Sequence, residues 1–362
     1  MSSSIVIDAV AARLETFLAR MRADGAEYGP DAALFMDAAQ AALTGGKRLR
    51  ARFCHAGWLA SDAASDGTGE PADSALWGLC AALEIFQSAA LVHDDLIDNS
   101  DTRRGRPSAH RALEASHRAA GWHGDAEAFG RSSAVLLGDL LVAWSDDLLE
   151  EALQGHPHAV ATRAEYARMR RDVTVGQMLD ITEESAWSVS PPEALLERAL
   201  RVASLKSARY SVTEPIVLGA ILGGAEESRV ESLRAFGHPI GMAFQLRDDL
   251  LGVFGDPNVT GKPAGDDLRE GKRTALIAIA RERLTEPRRA ELDAALGDTA
   301  LSPDAVAALQ ELIRSTGADA SIEEMIAERT AEAQRALDAA DLSPSATAEL
   351  RALGEAAITR SA

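Results

Sequence analysis

Residues 84–107 read EIFQSAALVHDDLIDNSDTRRGRP. The segment begins apolar at helical spacing. It then delivers Asp94, Asp95 and Asp98, followed by Asp101 and the adjacent cations Arg103 and Arg104. On an α-helix, residues four apart lie about 40° apart around the axis and about 6 Å along it. Asp94, Asp95 and Asp98 are therefore expected to share one arc of about 100° at the end of a core helix. Carboxylates held about 4 Å apart repel by about 1 kcal/mol in water and about 4 kcal/mol at an effective dielectric near 20. A hard divalent cation relieves that repulsion, and an oxygen-only donor set favours magnesium over zinc. The plain alternative is a solvated helix end, and the rest of the chain decides between the two.

The chain has 362 residues, long for one domain, and is 46% apolar but only 4% aromatic, which suits Ala/Leu helix packing. Its net charge of −19 argues against a nucleic-acid partner, while a phosphorylated small molecule needs only a local basic patch. Cys54 and Cys80 lie in apolar helical patterns without metal-like spacing, which predicts buried free thiols and a reducing cytoplasmic location. The start, MSSSIVIDAVAARLE, lacks a basic stretch followed by an apolar run, so no secretory signal is expected. Residues 75–92 could be mistaken for a membrane span. Glu84 and Gln87 interrupt them, and the segment reads as a buried core helix of a chain that does not span a membrane.

Helical periodicity fills most of the chain. Residues 5–22 place Val6, Val10, Leu14, Phe17, Leu18 and Met21 on one face. A second helix starts at Pro30-Asp31 and ends at Gly45-Gly46, and a third covers 49–60. Residues 61–74 read as a loop. Helices follow over 131–153 and 159–184, and helical spacing runs on over 193–254 with breaks at Gly223-Gly224 and Gly237. A polar loop over 255–271 leads to an Ala-rich helical remainder broken near Pro287, Pro303, Gly317 and Pro344. No segment alternates like a strand. The expected fold is all-α, a single-domain bundle of more than ten helices over residues 1–362 around one core.

Three further stretches bear on chemistry. Gly45-Gly46-Lys47-Arg48-Leu49-Arg50 joins two helices, and there exposed backbone N–H groups and two cations three residues apart would suit an anion. Arg103 and Arg104 could each hold a separate phosphate. Phe244-Gln245-Leu246-Arg247-Asp248-Asp249 carries a second acidic pair. It is followed by the loop Gly261-Lys262-Pro263-Ala264-Gly265-Asp266-Asp267 and by Lys272, repeating the logic of the first site. Asp146-Asp147 in WSDDLLEEAL imitates the motif without an Arg pair or Gly-Lys loop and reads as a solvated face. His93 reads as a packed or hydrogen-bonded residue, not a ligand.

Taken in order and spacing, GGKRLR, DDLIDNSDTRRG, GQMLD, LKSA, FQLRDD and GKPAGDD resemble the trans-type isoprenyl (polyprenyl) diphosphate synthases, geranylgeranyl diphosphate synthases in particular. The resemblance covers residues 45–272. It implies an isoprenoid-synthase-type helical fold around a central cavity. The implied reaction is magnesium-dependent condensation of isopentenyl diphosphate with an allylic diphosphate, and the implied assembly is a homodimer. Carried over by resemblance, Lys47, Arg50, Gln87 and Arg104 would hold the isopentenyl diphosphate. Arg103, Lys206 and Lys262 would grip the allylic diphosphate, with Gln245 and Lys272 also at the site. Asp94, Asp98 and Asp248, flanked by Asp95 and Asp249, would hold about three magnesium ions, with Gln177 and Asp180 nearby. The released diphosphate would take the final proton, so no side-chain base is assigned.

The chain departs from that family at the third position of its second DDxxD motif, where Gly252 stands. Weaker metal holding, not loss of activity, is the expectation. Ser207 replaces a common threonine, and Gln87 stands where many members carry histidine; both can still hydrogen-bond. The growing product should run along the acidic helix past the small pair Ala90 and Ala89 to Phe86, about 12 Å below Asp94. Since aromatics at the two alanine positions accompany fifteen-carbon products in the family, a twenty-carbon product is expected. Farnesyl or longer polyprenyl synthesis is the near alternative; a terpene cyclase or a non-catalytic partner subunit is the distant one.

Overall fold

The computed structural model describes residues 3–61, 74–256 and 265–359. The chain falls into two compact units, residues 1–55 with 66–159, and residues 56–65 with 160–362. Both are helical, as the periodicity predicts. Much of the 61–74 loop, and Gly261 to Ala264 with Lys262, lie outside the described residues.

The first unit holds α1 (Ser3–Asp24), α2 (Pro30–Leu43), the start of α3 (Leu49–Leu59), α4 (Ser74–Ile97), α5 (Ala109–Ala119) and α6 (Ala126–Leu153). Its core is α4, with Leu76, Leu79, Cys80, Leu83 and Ile85 fully buried, packed along α6 through Leu137, Leu141 and Leu148. Close approach is allowed at Gly78, where an added Cβ would run into Ala152. Helix α1 lays Val6, Val10, Leu14 and Phe17 inward, the stripe expected from the sequence. Among the described helices α4 alone is long and apolar enough to cross a membrane, yet 78% of its apolar window is buried within the protein. Between α4 and α5 a short ladder pairs Thr102–Arg103 with Arg106–Pro107, an element that two residues per strand give no alternation to reveal.

The second unit holds α7 (Ala159–Ala186), α8 (Leu195–Val202), a π-helical stretch (Ala203–Thr213), α9 (Glu214–Leu222), α10 (Glu227–Phe254), α11 (Asp266–Glu270), α12 (Ala275–Arg283), α13 (Glu286–Ala295), α14 (Pro303–Ser315), α15 (Ala318–Ala339) and α16 (Pro344–Ile358). Helix α10 is its axis and packs on α15 and the π-helical stretch. Here one expectation is corrected: Gly237 does not break the helix, and α10 runs through both it and Pro239. Gly237 is instead a contact residue. A Cβ there would lie 3.1 Å from Thr213 Cα, and one at Gly241 2.8 Å from Ala208 C and Cα. The two glycines let α10 press against the π-helical backbone.

Candidate active site

In the first unit the turn between α2 and α3 passes through left-handed backbone at Gly45 (φ 79°), Gly46 (φ 94°) and Arg48 (φ 49°). Glycine adopts that conformation readily and arginine seldom does, so Arg48 must be held there. Its guanidinium, 10% exposed, donates to the Leu43 carbonyl at 2.7 Å and pairs with Glu84 at 3.5 Å. Glu84 is buried and also accepts from the Ala51 N–H at 3.1 Å, pinning both sides of the turn to α4. Sequence reading passed over Arg48 and took Glu84 only as an interruption. A buried acid on an apolar helix needs a partner, and that was the available signal.

Arg104 reaches the same turn from the ladder. Itself at positive φ (54°), it lays its guanidinium over Gly46, both terminal nitrogens 3.0 Å from where a Cβ would stand. Partial burial, followed by the charges of Arg48, Arg103 and Arg50, pushes the Arg104 pKa down, with Glu84 opposing. Four guanidiniums thus converge beside exposed Lys47, and Gln87 sits half-buried on α4 one turn from Glu84. Such a set has the charge and the donors to bind an anion.

The three aspartates at the end of α4 do not share one environment. Asp95 is 3% exposed and accepts from Arg103 Nε at 2.8 Å, with a shorter bond from Nη2. Asp94 and Asp98 are half-buried, and the Arg103 guanidinium lies 3.6 Å from Asp94 Oδ2. The 100° step from position 94 to 95 is enough to turn one carboxylate inward. His93 is engaged locally: its Nε2 lies 3.3 Å from the Val135 carbonyl and 3.5 Å from Asp139, its ring against Gly138 where a Cβ would collide. Asp146 is half-buried and Asp147 exposed on α6. On the same unit Asp101, Arg106, Arg111, Glu114 and Arg118 line a shallow groove of about 420 Å³. It includes none of the expected site residues, and Arg111 is already bonded to Asp101 at 2.6 Å and Glu114 at 2.8 Å.

The second unit gathers a matching set. Lys206, in the π-helical stretch, donates to Asp180 Oδ2 at 2.6 Å, and Lys272 Nζ lies 3.9 Å from the same oxygen. Gln177, one turn from Asp180 on α7, is half-buried. The backbone of Lys206 comes this close because residue 176 is glycine; a Cβ there would stand 2.8 Å from Leu205 C and Lys206 Cα. π-Helical insertions concentrate at functional sites, and SLKSARYSVT carries no sequence signal for one. On α10, Asp248 is half-buried while Asp249 is 4% exposed and accepts from Gln245 Nε2 at 2.7 Å. Burial raises the Asp249 pKa well above the usual carboxylate range; Gln245 opposes, and the charges of Asp267, Asp248 and Asp180 add to the rise. Both acidic motifs thus divide alike, one carboxylate sunk and bonded, another half-open.

Among the described residues no three His, Cys, Asp or Glu side chains converge as a ready-made metal cage. The oxygen donors that are present, half-buried Asp94 and Asp98 in the first unit and Asp248 in the second, are of the kind that suits magnesium, which is usually held by one or two carboxylates and completed by phosphate oxygens and water.

Comparison with known proteins identifies the family. The Polyprenyl synthetase family profile matches residues 32–313. A geranylgeranyl diphosphate synthase of Sulfolobus acidocaldarius is 31% identical over 278 residues, covering 76% of this chain and 75% of the relative. A (2E,6E)-farnesyl diphosphate synthase of Mycobacterium bovis is 33% identical over 261 residues, 70% of this chain and 65% of that protein. In structure, the chain is similar to a geranylgeranyl pyrophosphate synthase of Corynebacterium glutamicum complexed with isoprenyl diphosphate and magnesium, with TM-score 0.93, 39% identity and 100% of both chains covered. The family profile over most of the chain, the relatives above 30% identity and the shared all-α fold lead to one conclusion: this chain belongs to the polyprenyl synthetase family and is a prenyltransferase of the geranylgeranyl diphosphate synthase type.

Proposed function

We propose that the protein condenses isopentenyl diphosphate with an allylic diphosphate in the presence of magnesium and releases the twenty-carbon product. The observation that carries this reading is the Gly46–Arg104 contact with Arg48 and Arg50 around it. It would give the first unit an anion site of its own, besides the one that Lys206 would serve. An enzyme that ionises a single diphosphate and cyclises it has no use for a second one.

In this reading Asp94, Asp98 and Asp248 hold magnesium, which when bound supplies charge neutralisation for the diphosphate leaving group. Arg103 and Lys206, together with Lys262, bind the allylic diphosphate. Arg103 is aimed by Asp95 and Lys206 by Asp180, so each cation is preorganised before substrate arrives. Arg104, Arg50 and Lys47 bind the isopentenyl diphosphate. The apolar flank of α4 keeps water from the allylic cation until the double bond reaches it. The departing diphosphate takes the last proton, so no side chain need act as base.

Chain length rests on Phe86 and the alanines above it, and farnesyl diphosphate synthesis is the second reading, favoured by the relative that makes it. Chromatography of the products formed from isopentenyl diphosphate and a series of allylic starters decides. A twenty-carbon end point supports the first reading, a fifteen-carbon end point the second, and no elongation refutes both. The homodimer that the family resemblance implies is part of the same proposal, and light scattering in solution tests it.

A further inference from the structure

Gly252 stands where the family's second motif carries its third aspartate, and its surroundings are not vacant. A Cβ built on Gly252 would collide with the Asp267 carboxylate, with Oδ2 and Cγ inside bonding range of it and Oδ1 at 2.7 Å. Asp267 comes from the short helix α11, on the far side of the Gly-Lys loop in sequence. That contact puts Asp267 beside α10 at the level of the missing acid. A side chain at 252 and the carboxylate of 267 compete for one volume.

From this we infer that Asp267 supplies the third carboxylate of the second acidic motif, and that Gly252 is the space it requires. The inference rests on the proposed magnesium-diphosphate chemistry and assigns a residue to it. It reverses the expectation that Gly252 weakens metal holding: the acid is not lost but delivered from another element. Asp267 acts as a direct or water-mediated oxygen donor, the kind of supporting group whose removal typically costs 10–100-fold in metal affinity.

The test is manganese binding, read by electron paramagnetic resonance with inorganic pyrophosphate present, on the full chain and on two variants. One variant is D267N; the other is the exchange G252D/D267G, which moves the acid back to α10. Circular dichroism and thermal melting accompany each. The inference expects D267N to bind manganese about tenfold more weakly with its melting temperature little changed, and the exchange to recover affinity to within about threefold. A folded D267N with affinity within twofold of the original overturns it. So does an exchange variant as weak as D267N. If D267N does not fold, the exchange alone decides, with recovered affinity in support and a tenfold loss against. Failure of the unaltered protein to bind manganese with pyrophosphate would instead refute the magnesium reading beneath the inference, a result distinct from equal binding by original and variant.

Discussion

The guanidinium of Arg104 rests on the α-carbon of Gly46, its terminal nitrogens 3.0 Å from the position a β-carbon would occupy. Two segments more than fifty residues apart thereby form one cationic surface, and the contact exists only because residue 46 has no side chain. Gly46→Ala should therefore push Arg104 aside and strain the backbone, since φ is 94° there. The expected result is a Michaelis constant for isopentenyl diphosphate raised about tenfold, that for the allylic substrate nearly unchanged, and about 1 kcal/mol lost in stability. Steady-state kinetics with each substrate varied in turn checks it.

Gly176 plays the corresponding part for Lys206. Alanine at 176 would meet Leu205 C at 2.8 Å and force α7 off the π-helical stretch, carrying Lys206 from Asp180. A misplacement of about 1 Å in a charged group can cost about 100-fold in rate. Gly176→Ala should show a loss of that order in kcat, with the Michaelis constant for isopentenyl diphosphate little altered. A loss confined to that Michaelis constant would contradict the assignment of Lys206 to the allylic substrate.

The two small residues below Asp94 are not equivalent. Ala89 is 1% exposed, within the core, while Ala90 is half-buried on the flank that also carries Asp94, about 40° away around the helix. Ala90→Phe should therefore shorten the product to fifteen carbons with little change in melting temperature. Ala89→Phe should chiefly overpack the core, at a cost of about 1–3 kcal/mol. Product chromatography and thermal melts on both variants separate the effects.

His55 gives the fold a measurable pH dependence. It is buried, neither ring nitrogen has a hydrogen-bond partner among the described residues, and it stacks on Trp77 at 5.6 Å. Burial lowers its pKa from 6.5 to about 4. Between those values the unfolded chain binds the proton and the folded protein does not. The His55 contribution is thus fully present above about pH 6.5 and is lost as pH falls towards 4, by about 3 kcal/mol over the window. Denaturant melts across that range should show the slope, and His55→Phe should flatten it.

How much of this was legible in the sequence follows from what each signal depends on. Helices were readable because apolar periodicity is local, as α1 and α4 show, and Pro30, Pro303 and Pro344 marked true starts. Gly237 misled because glycine has two uses, breaking a helix and admitting a neighbour, and only the neighbour at Thr213 tells which. The π-helical turn around Lys206 is set by tertiary packing against Gly176 and Gly241, which no local pattern encodes. Motif residues such as Asp94 and Arg104 could be placed by spacing. The inward turn of Asp95 to Arg103, the Arg48–Glu84 pin and the Asp267 carboxylate over Gly252 join elements distant in sequence, so they became visible only in three dimensions.

The central claim is that two diphosphates react together. Diphosphate release should be followed with purified protein, magnesium and an allylic diphosphate, first alone and then with isopentenyl diphosphate added. The account predicts negligible release from the allylic substrate alone, and one diphosphate released per isopentenyl diphosphate consumed once both are present. Release at the same rate without isopentenyl diphosphate, or no release with both, would contradict it.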